Sequence, residues 1–500
     1  MPVPKTVVDV RASLLSLLVD PASIRLHALM IAGYSAALFL PLIGRGFVHD
    51  DFVHLYSVVF DPLRQGLTKA NGGPFYAPLA WLSYKIDWML WGWNPLAFAA
   101  VNLTLHISNI LLVYHLALRL YRSVIAARWA AIGFALLFPA NTWAVMWIST
   151  RAHLIVTLFY LAAMLATVWY ARTERYRVIA FITIVSFSAL AIFSKESAVT
   201  VPAAIALILF SEKVTRKQIC ISRSGVIGLF ATLFAILLVY AGVRAQSGAI
   251  PITFSGNLGY YYALSPKMLL EHLLRYGWRT YGLLTILAGA ITLSQYFRGR
   301  THYLRSLTRK DIFFSIALFT ITIAPFILLP TRSGIYSYLP GIAAALLLGA
   351  TARSLYKSPL KSPARANVAT LSPIIIVIVI YSSLTVGHSL RWKKMAETSA
   401  AVLHQIVAQQ PRVEPNALII LTYARVDNER RFPESIAWGF PSALRVLYGD
   451  SSVDGKIIRQ GEKYGDNAPE IHFAYTLSNS WEPRVTGPKV LRFAGCETSF

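Results

Sequence analysis

The sequence predicts an α-helical polytopic membrane protein with about eleven transmembrane helices and a small C-terminal α/β domain outside the membrane. Of the 500 residues, 56% are hydrophobic and only 14% are charged, whereas a soluble protein carries about a quarter charged residues. The shortage of charge is local, because long apolar stretches contain no charged residue and basic residues cluster between them. Both features are typical of a chain that crosses a bilayer several times.

Apolar segments are the basis for the helix count. A spanning helix needs about 20 mostly apolar residues. The fifth, sixth and tenth segments are short, so their assignment as spans depends on the charges between segments. The eleven segments lie at 26–43, 96–118, 129–148, 153–171, 178–193, 197–210, 224–243, 280–297, 312–330, 338–352 and 371–388.

Basic residues occupy every second connection between these segments, for example at 119–128, 172–177 and 213–217. Basic loops stay on the cytoplasmic side, so we predict a cytoplasmic N-terminus and an external C-terminus. The clusters at 172–177 and 213–217 then both lie inside, which requires a hairpin that turns outside at Ser194-Lys195-Glu196. The net charge of +24 reflects contact with anionic lipid and does not indicate nucleic-acid binding.

The chain divides into a predicted membrane domain over residues 1–388, with a long external loop at 44–95, and an external domain over residues 389–500. The second part alternates strand-like runs such as Ala417–Leu421 with turn clusters such as Tyr448–Ser452. That alternation favours a small α/β domain. The sequence shows no internal repeat, and this, together with the compact tail, favours a bacterial inner membrane.

Two adjacent carboxylates, Asp50 and Asp51, follow the first predicted helix directly. A carboxylate near a low-dielectric region and beside a second carboxylate can have a raised pKa and act as a general base. The pair could also hold a divalent cation, with His49 or His54 nearby. In a structural interpretation, Asp50 or Asp51 instead caps the start of a short interfacial helix. The residues alone leave these alternatives open.

The hairpin between the third and fourth segments places Arg151 in a short apolar turn, next to His153. An arginine there is costly unless it snorkels to the interface or pairs with an anion. A phosphate, or a carboxylate such as Asp50 or Asp51, would provide that anion.

Lys195 and Arg332 lie in two further turns on the predicted external side. Lys195 could neutralise a lipid phosphate or pair with Glu196, and Arg332 precedes Tyr338 in a short loop. The acids, Arg151, Lys195 and Arg332 all lie at helix ends on one predicted face. A phosphate-bearing lipid and a polar acceptor would meet there.

The order of the motifs resembles the C-type membrane glycosyltransferases, in particular the transmembrane and tetratricopeptide-repeat O-mannosyltransferases and their bacterial relatives. The resemblance covers roughly residues 44–340. The matching motifs are Val48-His49-Asp50-Asp51, Tyr76-Ala77-Pro78-Leu79, Trp93-Asn94-Pro95, Val101-Asn102-Leu103-Thr104-Leu105-His106, Phe138-Pro139-Ala140-Asn141-Thr142, Trp147-Ile148-Ser149-Thr150-Arg151-Ala152, Ser194-Lys195-Glu196 and Tyr336-Ser337-Tyr338-Leu339-Pro340.

The resemblance implies a polyprenyl-phosphate sugar donor and an external active site under the first loop. One of Asp50 and Asp51 would deprotonate an acceptor hydroxyl while it attacks the anomeric carbon; the lipid phosphate would leave and the configuration would invert. Basic residues would offset the phosphate charge. No cofactor is required, because phosphate is a good leaving group, although a divalent cation stays an option. The residues expected to bind the donor phosphate are Arg151, Lys195 and Arg332, and those expected to support the site are His49, His54, Tyr76, His153, Glu196 and Tyr338.

The chain departs from the family in three places. Arg332 lies further from Tyr338-Leu339-Pro340 than the arginine of the family usually does. The chain has His153 where relatives often carry an acid, so a second acid is not expected there. It also has no tetratricopeptide repeats after the membrane part, so the acceptor is not inferred from repeat-bearing members. A cell-envelope glycan, a lipid and a protein all stay open as acceptors, and the sugar is not identified.

Two other classes of function compete with the transferase. A transporter or lipid flippase would carry charges at mid-membrane depth, broken helices and often repeated halves, whereas the charges here lie at helix ends. A non-catalytic membrane scaffold with a partner-binding external domain would not need the acidic pair.

Overall fold

The computed structural model describes residues 24–44, 46–70, 75–216, 222–249, 261–296, 308–356, 368–423, 435–459, 470–477 and 483–491. They form two compact units. Unit 1 comprises Met1–Pro41, Asn102–Val145 and Thr150–His388, and unit 2 comprises Leu42–Val101, Met146–Ser149 and Ser389–Phe500.

Helices dominate the described residues. In chain order they are α1 (Ile24–Phe39), α2 (Asp50–Phe60), α3 (Leu63–Thr68), α4 (Pro78–Trp91), α5 (Pro95–Tyr121), α6 (Val124–Ala135), α7 (Ala140–Met146), α8 (Arg151–Arg172), α9 (Arg177–Ser194), α10 (Val201–Arg216), α11 (Arg223–Gln246), α12 (Pro266–Tyr296), α13 (Arg309–Ile327), α14 (Gly341–Tyr356), α15 (Val368–Gln409) and α16 (Phe440–Tyr448).

The apolar composition of these helices identifies an integral membrane protein. By length and composition, six helices among the described residues could cross a membrane, or seven if α6 and α7 form one broken span. All eleven apolar segments of the sequence fall on helices, but the number that cross the bilayer stays a prediction. The orientation of the termini also stays a prediction.

The segment at 129–148 is not the continuous helix that we predicted. α6 ends at Ala135, and α7 begins at Ala140 after a bend of 67°. Pro139 lies in the gap. Proline has no backbone N–H and its ring collides with the preceding turn, so α6 cannot run through this position.

The last predicted span, at 371–388, is also longer than expected. α15 continues to Gln409, well past His388. The sequence from 389 to 409 contains neither glycine nor proline, so nothing in it stops a helix; Pro411, two residues after the helix end, prevents a further continuation.

The core of unit 1 includes the contact between α6 and α14. Gly349 allows the two backbones to approach, since a Cβ at this position would lie 2.4 Å from the carbonyl oxygen of Ala126. Close approach through small residues is how membrane helices gain packing energy, because lipid offers no hydrophobic driving force between helices.

Unit 2 contains a four-stranded sheet in the order β2-β1-β3-β4. The strands are β1 (Leu418–Tyr423), β2 (Asp454–Arg459), β3 (Glu470–Leu477) and β4 (Pro483–Leu491). β1 pairs in parallel with β2 and β3, and β3 pairs antiparallel with β4. Parallel strands are covered on both faces, and accordingly all four residues from Leu418 to Leu421 are buried. The predicted domain boundary at residue 388 stays a prediction.

Unit 2 also contains the predicted external loop at 44–95, and much of the described part of that loop is helical. α2, α3 and α4 lie within residues 44–95, where a short interfacial helix was one of the alternatives that the sequence left open. α16 packs against both α2 and β2, so the sheet part and the loop part share one core.

Candidate active site

The acidic pair forms the first turn of α2. The helix begins at Asp50, and the residue before it, His49, has a positive φ of 47° and makes no side-chain capping bond. The structural alternative therefore needs a correction, because neither acid occupies the capping position itself. Both carboxylates nevertheless lie where the partial positive charge of a helix N-terminus favours them.

Asp51 is buried and accepts hydrogen bonds at both carboxylate oxygens. Its side chain is 2% exposed. One carboxylate oxygen, Oδ2, accepts a hydrogen bond from the backbone N–H of Val48 at 2.9 Å, and Oδ1 accepts one from the backbone N–H of Ser149 at 2.7 Å. Burial raises the pKa of Asp51 to about 7; the two backbone bonds oppose this shift, and the charge of Asp50 adds to it.

Asp50 is half-buried and more accessible. The indole Nε1–H of Trp438 donates a hydrogen bond to its Oδ1. Burial raises the pKa of Asp50, and this hydrogen bond lowers it. Among the described residues, only Trp438 donates a hydrogen bond to this carboxylate, and Oδ2 of Asp50 accepts none.

His49 lies between two indoles. Its ring stacks on Trp438, with centroids 5.5 Å apart and planes at 24°, and meets Trp147 edge-on at 6.2 Å. Its Nδ1 is buried without a hydrogen-bond partner, and burial lowers the pKa of His49 to about 4. A neutral imidazole is therefore expected beside the acids at neutral pH.

His54 and Tyr76 are used within unit 2. The ring of His54 stacks on Tyr84 at 5.0 Å, and the Tyr84 hydroxyl donates to the carbonyl oxygen of Ile148 at 2.8 Å. The Tyr76 hydroxyl donates to the carbonyl oxygen of Leu67 at 3.0 Å. These contacts give both predicted supporting residues packing roles around α2.

Arg151 begins α8 in unit 1, and its side chain is fully buried at 0% exposure. Its Nε–H donates to Oδ1 of Asn102 at 2.8 Å. The Asn102 amide in turn donates to the carbonyl oxygen of Ala144 at 3.3 Å. The role of Asn102 was not predicted from the sequence. A polar residue inside an apolar helix was the signal that could have identified it.

Lys195 and Glu196 form an ion pair with each other, which is one of the two alternatives that the sequence left open for Lys195. The Lys195 ammonium lies 3.5 Å from Oε1 of Glu196, and the two side chains are 10% and 16% exposed. Oε2 of Glu196 is buried without a hydrogen-bond partner, and so is Nδ1 of His153. The His153 ring stacks on Phe326 at 5.9 Å. Buried polar atoms without partners in unit 1 are candidates for ligand contacts.

Arg332 has protein partners on both sides of its guanidinium. It forms an ion pair with Glu271 at 2.6 Å, in which the two side chains are 37% and 44% exposed. Its Nε–H donates to Nε2 of His272 at 3.1 Å, and the opposite ring nitrogen of His272 lies 3.2 Å from the carbonyl oxygen of Ile327. A carbonyl only accepts, so His272 is neutral with its proton on Nδ1. Sequence reasoning did not predict the Glu271 partner.

Tyr338 is buried in unit 1 at 0% exposure. Its hydroxyl lies 2.7 Å from Nδ1 of His106 and accepts from the Asn109 amide at 3.3 Å. Nε2 of His106 and Oδ1 of Asn109 are buried without partners. The side chain therefore belongs to a polar network inside the helices.

The predicted site residues separate by unit. Unit 2 brings together His49, Asp50 and Asp51, and adds Trp438, which sequence reasoning missed. Its only signal was an isolated tryptophan in a polar segment. Within the described residues, no cluster of three or more His, Cys, Asp or Glu side chains could hold a metal ion.

The resemblance predicted from the sequence is confirmed as a similarity, in fold to one solved structure and in sequence to two curated proteins. The fold matches a crystal structure of ArnT from Cupriavidus metallidurans bound to undecaprenyl phosphate. The TM-score is 0.50 over 94% of this chain and 99% of that chain, at 11% sequence identity. At this identity the likeness establishes a shared fold.

Two curated proteins match in sequence. Protein O-mannosyl-transferase TMTC1 from Mus musculus is 31% identical over 160 residues, which cover 28% of this chain and 16% of that protein. The Homo sapiens TMTC1 is 31% identical over 160 residues, which cover 28% of this chain and 17% of that protein. The match thus spans about a sixth of the length of these relatives. No family model matches the sequence.

Proposed function

We propose that this protein transfers a sugar from a polyprenyl-phosphate-linked donor to an acceptor hydroxyl at the external membrane face, with inversion at the anomeric carbon and with Asp50 as the general base. The observation that carries the proposal is the difference in burial and hydrogen bonding between the two acids. Asp50 is half-buried, and its Oδ2 has no hydrogen-bond partner among the described residues, whereas Asp51 is 2% exposed and accepts backbone N–H bonds at both oxygens.

The reaction follows from the accessible carboxylate. Oδ2 of Asp50 takes the proton of the acceptor hydroxyl as the hydroxyl oxygen forms a bond to the anomeric carbon. The bond between that carbon and the phosphate oxygen breaks, and its electron pair leaves with the lipid phosphate. Attack from the side opposite to the leaving phosphate inverts the configuration.

Asp51 serves as a positioning residue in this scheme. Its two backbone bonds tie the first turn of α2 to Val48 and to Ser149. The neighbouring carboxylate of Asp50 is thereby held in one orientation, which lowers the entropy lost when substrate binds.

Buried cations in unit 1 support a phosphate-bearing donor. Arg151 is fully buried, and Lys195, which pairs with Glu196, is 8% exposed; a bound anion would stabilise these buried charges further. ArnT of the same fold is bound to undecaprenyl phosphate in its crystal structure, and we assign a lipid phosphate of that chemistry to Arg151 and Lys195. Arg332 joins them on release of Glu271.

The finer features belong to the same proposal. They are about eleven membrane spans, a cytoplasmic N-terminus, an external C-terminal α/β domain over 389–500 and a bacterial inner membrane. A divalent cation is an optional addition at the acids. Supporting roles are assigned to His49, His54, Tyr76, His153, Glu196 and Tyr338.

The test is sugar transfer by the full chain in reconstituted vesicles supplied with polyprenyl-phosphate sugars. Asp50→Asn should lower turnover by about 10²- to 10⁴-fold, the usual contribution of a general base, while polyprenyl phosphate still binds. Asp61→Asn is the matched control, because among the described residues the Asp61 carboxylate bonds to Ser57 and Gln65 alone. Turnover of Asp50→Asn equal to that of wild type would remove the base, and the acids would then be no more than the first turn of α2.

A further inference from the structure

Trp438 reaches the acidic pair from the C-terminal part of unit 2. It lies in a single helical turn, Ala437–Gly439, directly before α16. Gly439 fits against α2 because it has no side chain; a Cβ at this position would lie 2.2 Å from the carbonyl oxygen of His49. The backbone N–H of His49 donates to the carbonyl oxygen of Ser435 at 3.3 Å. The turn that carries Trp438 is therefore fastened at two points to the residue before Asp50.

The indole of Trp438 is fixed on two sides and open elsewhere. Its N–H is bound to Asp50 and its ring stacks on His49, yet 61% of the side chain is exposed. Burying a large aromatic side chain contributes a few kcal/mol. An exposed indole that is held next to a carboxylate therefore offers an apolar surface that a bound ligand would cover. A membrane-anchoring tryptophan directs its N–H to the wet interface, whereas this N–H is taken by a carboxylate.

We propose that Trp438 binds the acceptor: the exposed indole surface stacks on a sugar ring of a carbohydrate acceptor, and the indole N–H holds Oδ1 of Asp50 so that Oδ2 faces the acceptor hydroxyl. This inference rests on the proposed transferase function. A pyranose presents one face of C–H bonds, which suits the electron-rich face of an indole, and the hydroxyl groups at its edge suit the carboxylate.

Binding is measured first, because it needs no turnover. Saturation-transfer NMR is recorded on the full chain in a detergent that carries no sugar, with a panel of methyl hexopyranosides as probes. Trp438→Ala should weaken their binding about tenfold, the factor expected for loss of one aromatic contact. Trp91→Ala is the matched control, since Trp91 is also an exposed tryptophan of unit 2, at 43%, and should bind as wild type does.

The contrary results are distinct. The inference is overturned if no glycoside of the panel binds to wild type, or if Trp438→Ala binds them as wild type does. It is also overturned if serine-containing peptides, and no glycosides, depend on Trp438. If glycoside binding depends on Trp438 but no sugar is ever transferred, the transferase proposal fails and the binding site stands.

Trp438→Phe separates the ring from the N–H. The phenyl ring keeps a stacking surface, so acceptor KM should change less than in Trp438→Ala. The hydrogen bond that lowers the pKa of Asp50 is lost, so the acid limb of the pH–rate profile should move to higher pH. An unchanged acid limb with normal folding would show that the N–H does not act on Asp50.

Discussion

Each of the two units contains two like-charged residues that differ in how far the protein encloses them. In unit 2, Asp51 is 2% exposed and accepts backbone hydrogen bonds at both oxygens, whereas Asp50 is half-buried and, among the described residues, accepts a hydrogen bond at Oδ1 alone. In unit 1, Arg151 is fully buried, whereas the side chain of Arg332 is 37% exposed and paired with Glu271. Each unit thus has one buried and one accessible residue of the same charge.

The comparison shows that the position of a residue in the sequence does not determine how deeply its side chain is buried. Asp50 and Asp51 are neighbours in sequence, but the side chains of consecutive residues on a helix point in directions about 100° apart. One therefore enters the core while the other stays at the surface. For Arg151 and Arg332 the neighbours decide, since one faces a buried amide and the other an exposed carboxylate.

The largest expected effect concerns the enclosed cation. Arg151→Ala should lower the free energy of unfolding by about 3 kcal/mol, because the hydrogen bond from the guanidinium to Asn102 is lost and a large, fully buried side chain is replaced by a small one. The measurement is thermal unfolding of the purified protein in the absence of lipid donor. A change no larger than that of an exposed arginine substitution would remove the distinction between the two cations.

Much of the fold follows from the sequence, for identifiable reasons. Helix positions could be predicted because apolar length and interhelix charge are local properties, and α5, α8 and α9 coincide with three predicted segments within a few residues. The break before α7 was visible as Pro139. The extension of α15 was missed because residues 389–409 alternate polar and apolar residues, and the end of a continuous apolar run does not by itself end a helix.

The candidate site was predictable only in part. Paired acids next to an apolar segment attract attention at the sequence level, so Asp50 and Asp51 were found. Trp438 is 388 residues away from Asp50 along the chain, and no local pattern connects the two. Likewise, Glu271 as the partner of Arg332 depends on the packing of α12, which a single sequence does not specify.

A second prediction concerns the contact that holds Trp438 next to the acids. Gly439→Ala should cost about 2 kcal/mol of stability, since the new Cβ would lie 2.2 Å from a backbone oxygen and the segment must shift. Sugar transfer should fall with it, because the bond to Asp50 is disturbed. Gly228→Ala, where nothing lies within 4 Å of the added Cβ, should leave both properties unchanged. Equal stability and transfer in the two variants would show that the turn is not held in this position.

A third prediction uses the enclosed acid. The pKa of Asp51 rises from its usual 3.8 to about 7, so the folded protein binds this proton more tightly than the unfolded chain does. The stability contribution is therefore most favourable below pH 3.8 and is lost as pH rises to about 7. Wild type should lose on the order of 1–2 kcal/mol more than Asp51→Asn between pH 5 and pH 6.5, measured by chemical unfolding at each pH. Parallel curves for the two proteins would place the pKa near its usual value.

The smallest expected effect concerns the accessible cation. Glu271→Gln should change the free energy of unfolding by less than about 1 kcal/mol, because ion pairs between exposed side chains contribute little. Arg332→Ala should cost more, since His272 is fully buried and its Nε2 loses the donor that it has at 3.1 Å. The two unfolding curves, compared with that of Arg151→Ala, rank the three positions. If Glu271→Gln proves as costly as Arg151→Ala, the Arg332–Glu271 pair is part of the scaffold, and Arg332 is not available to a lipid phosphate.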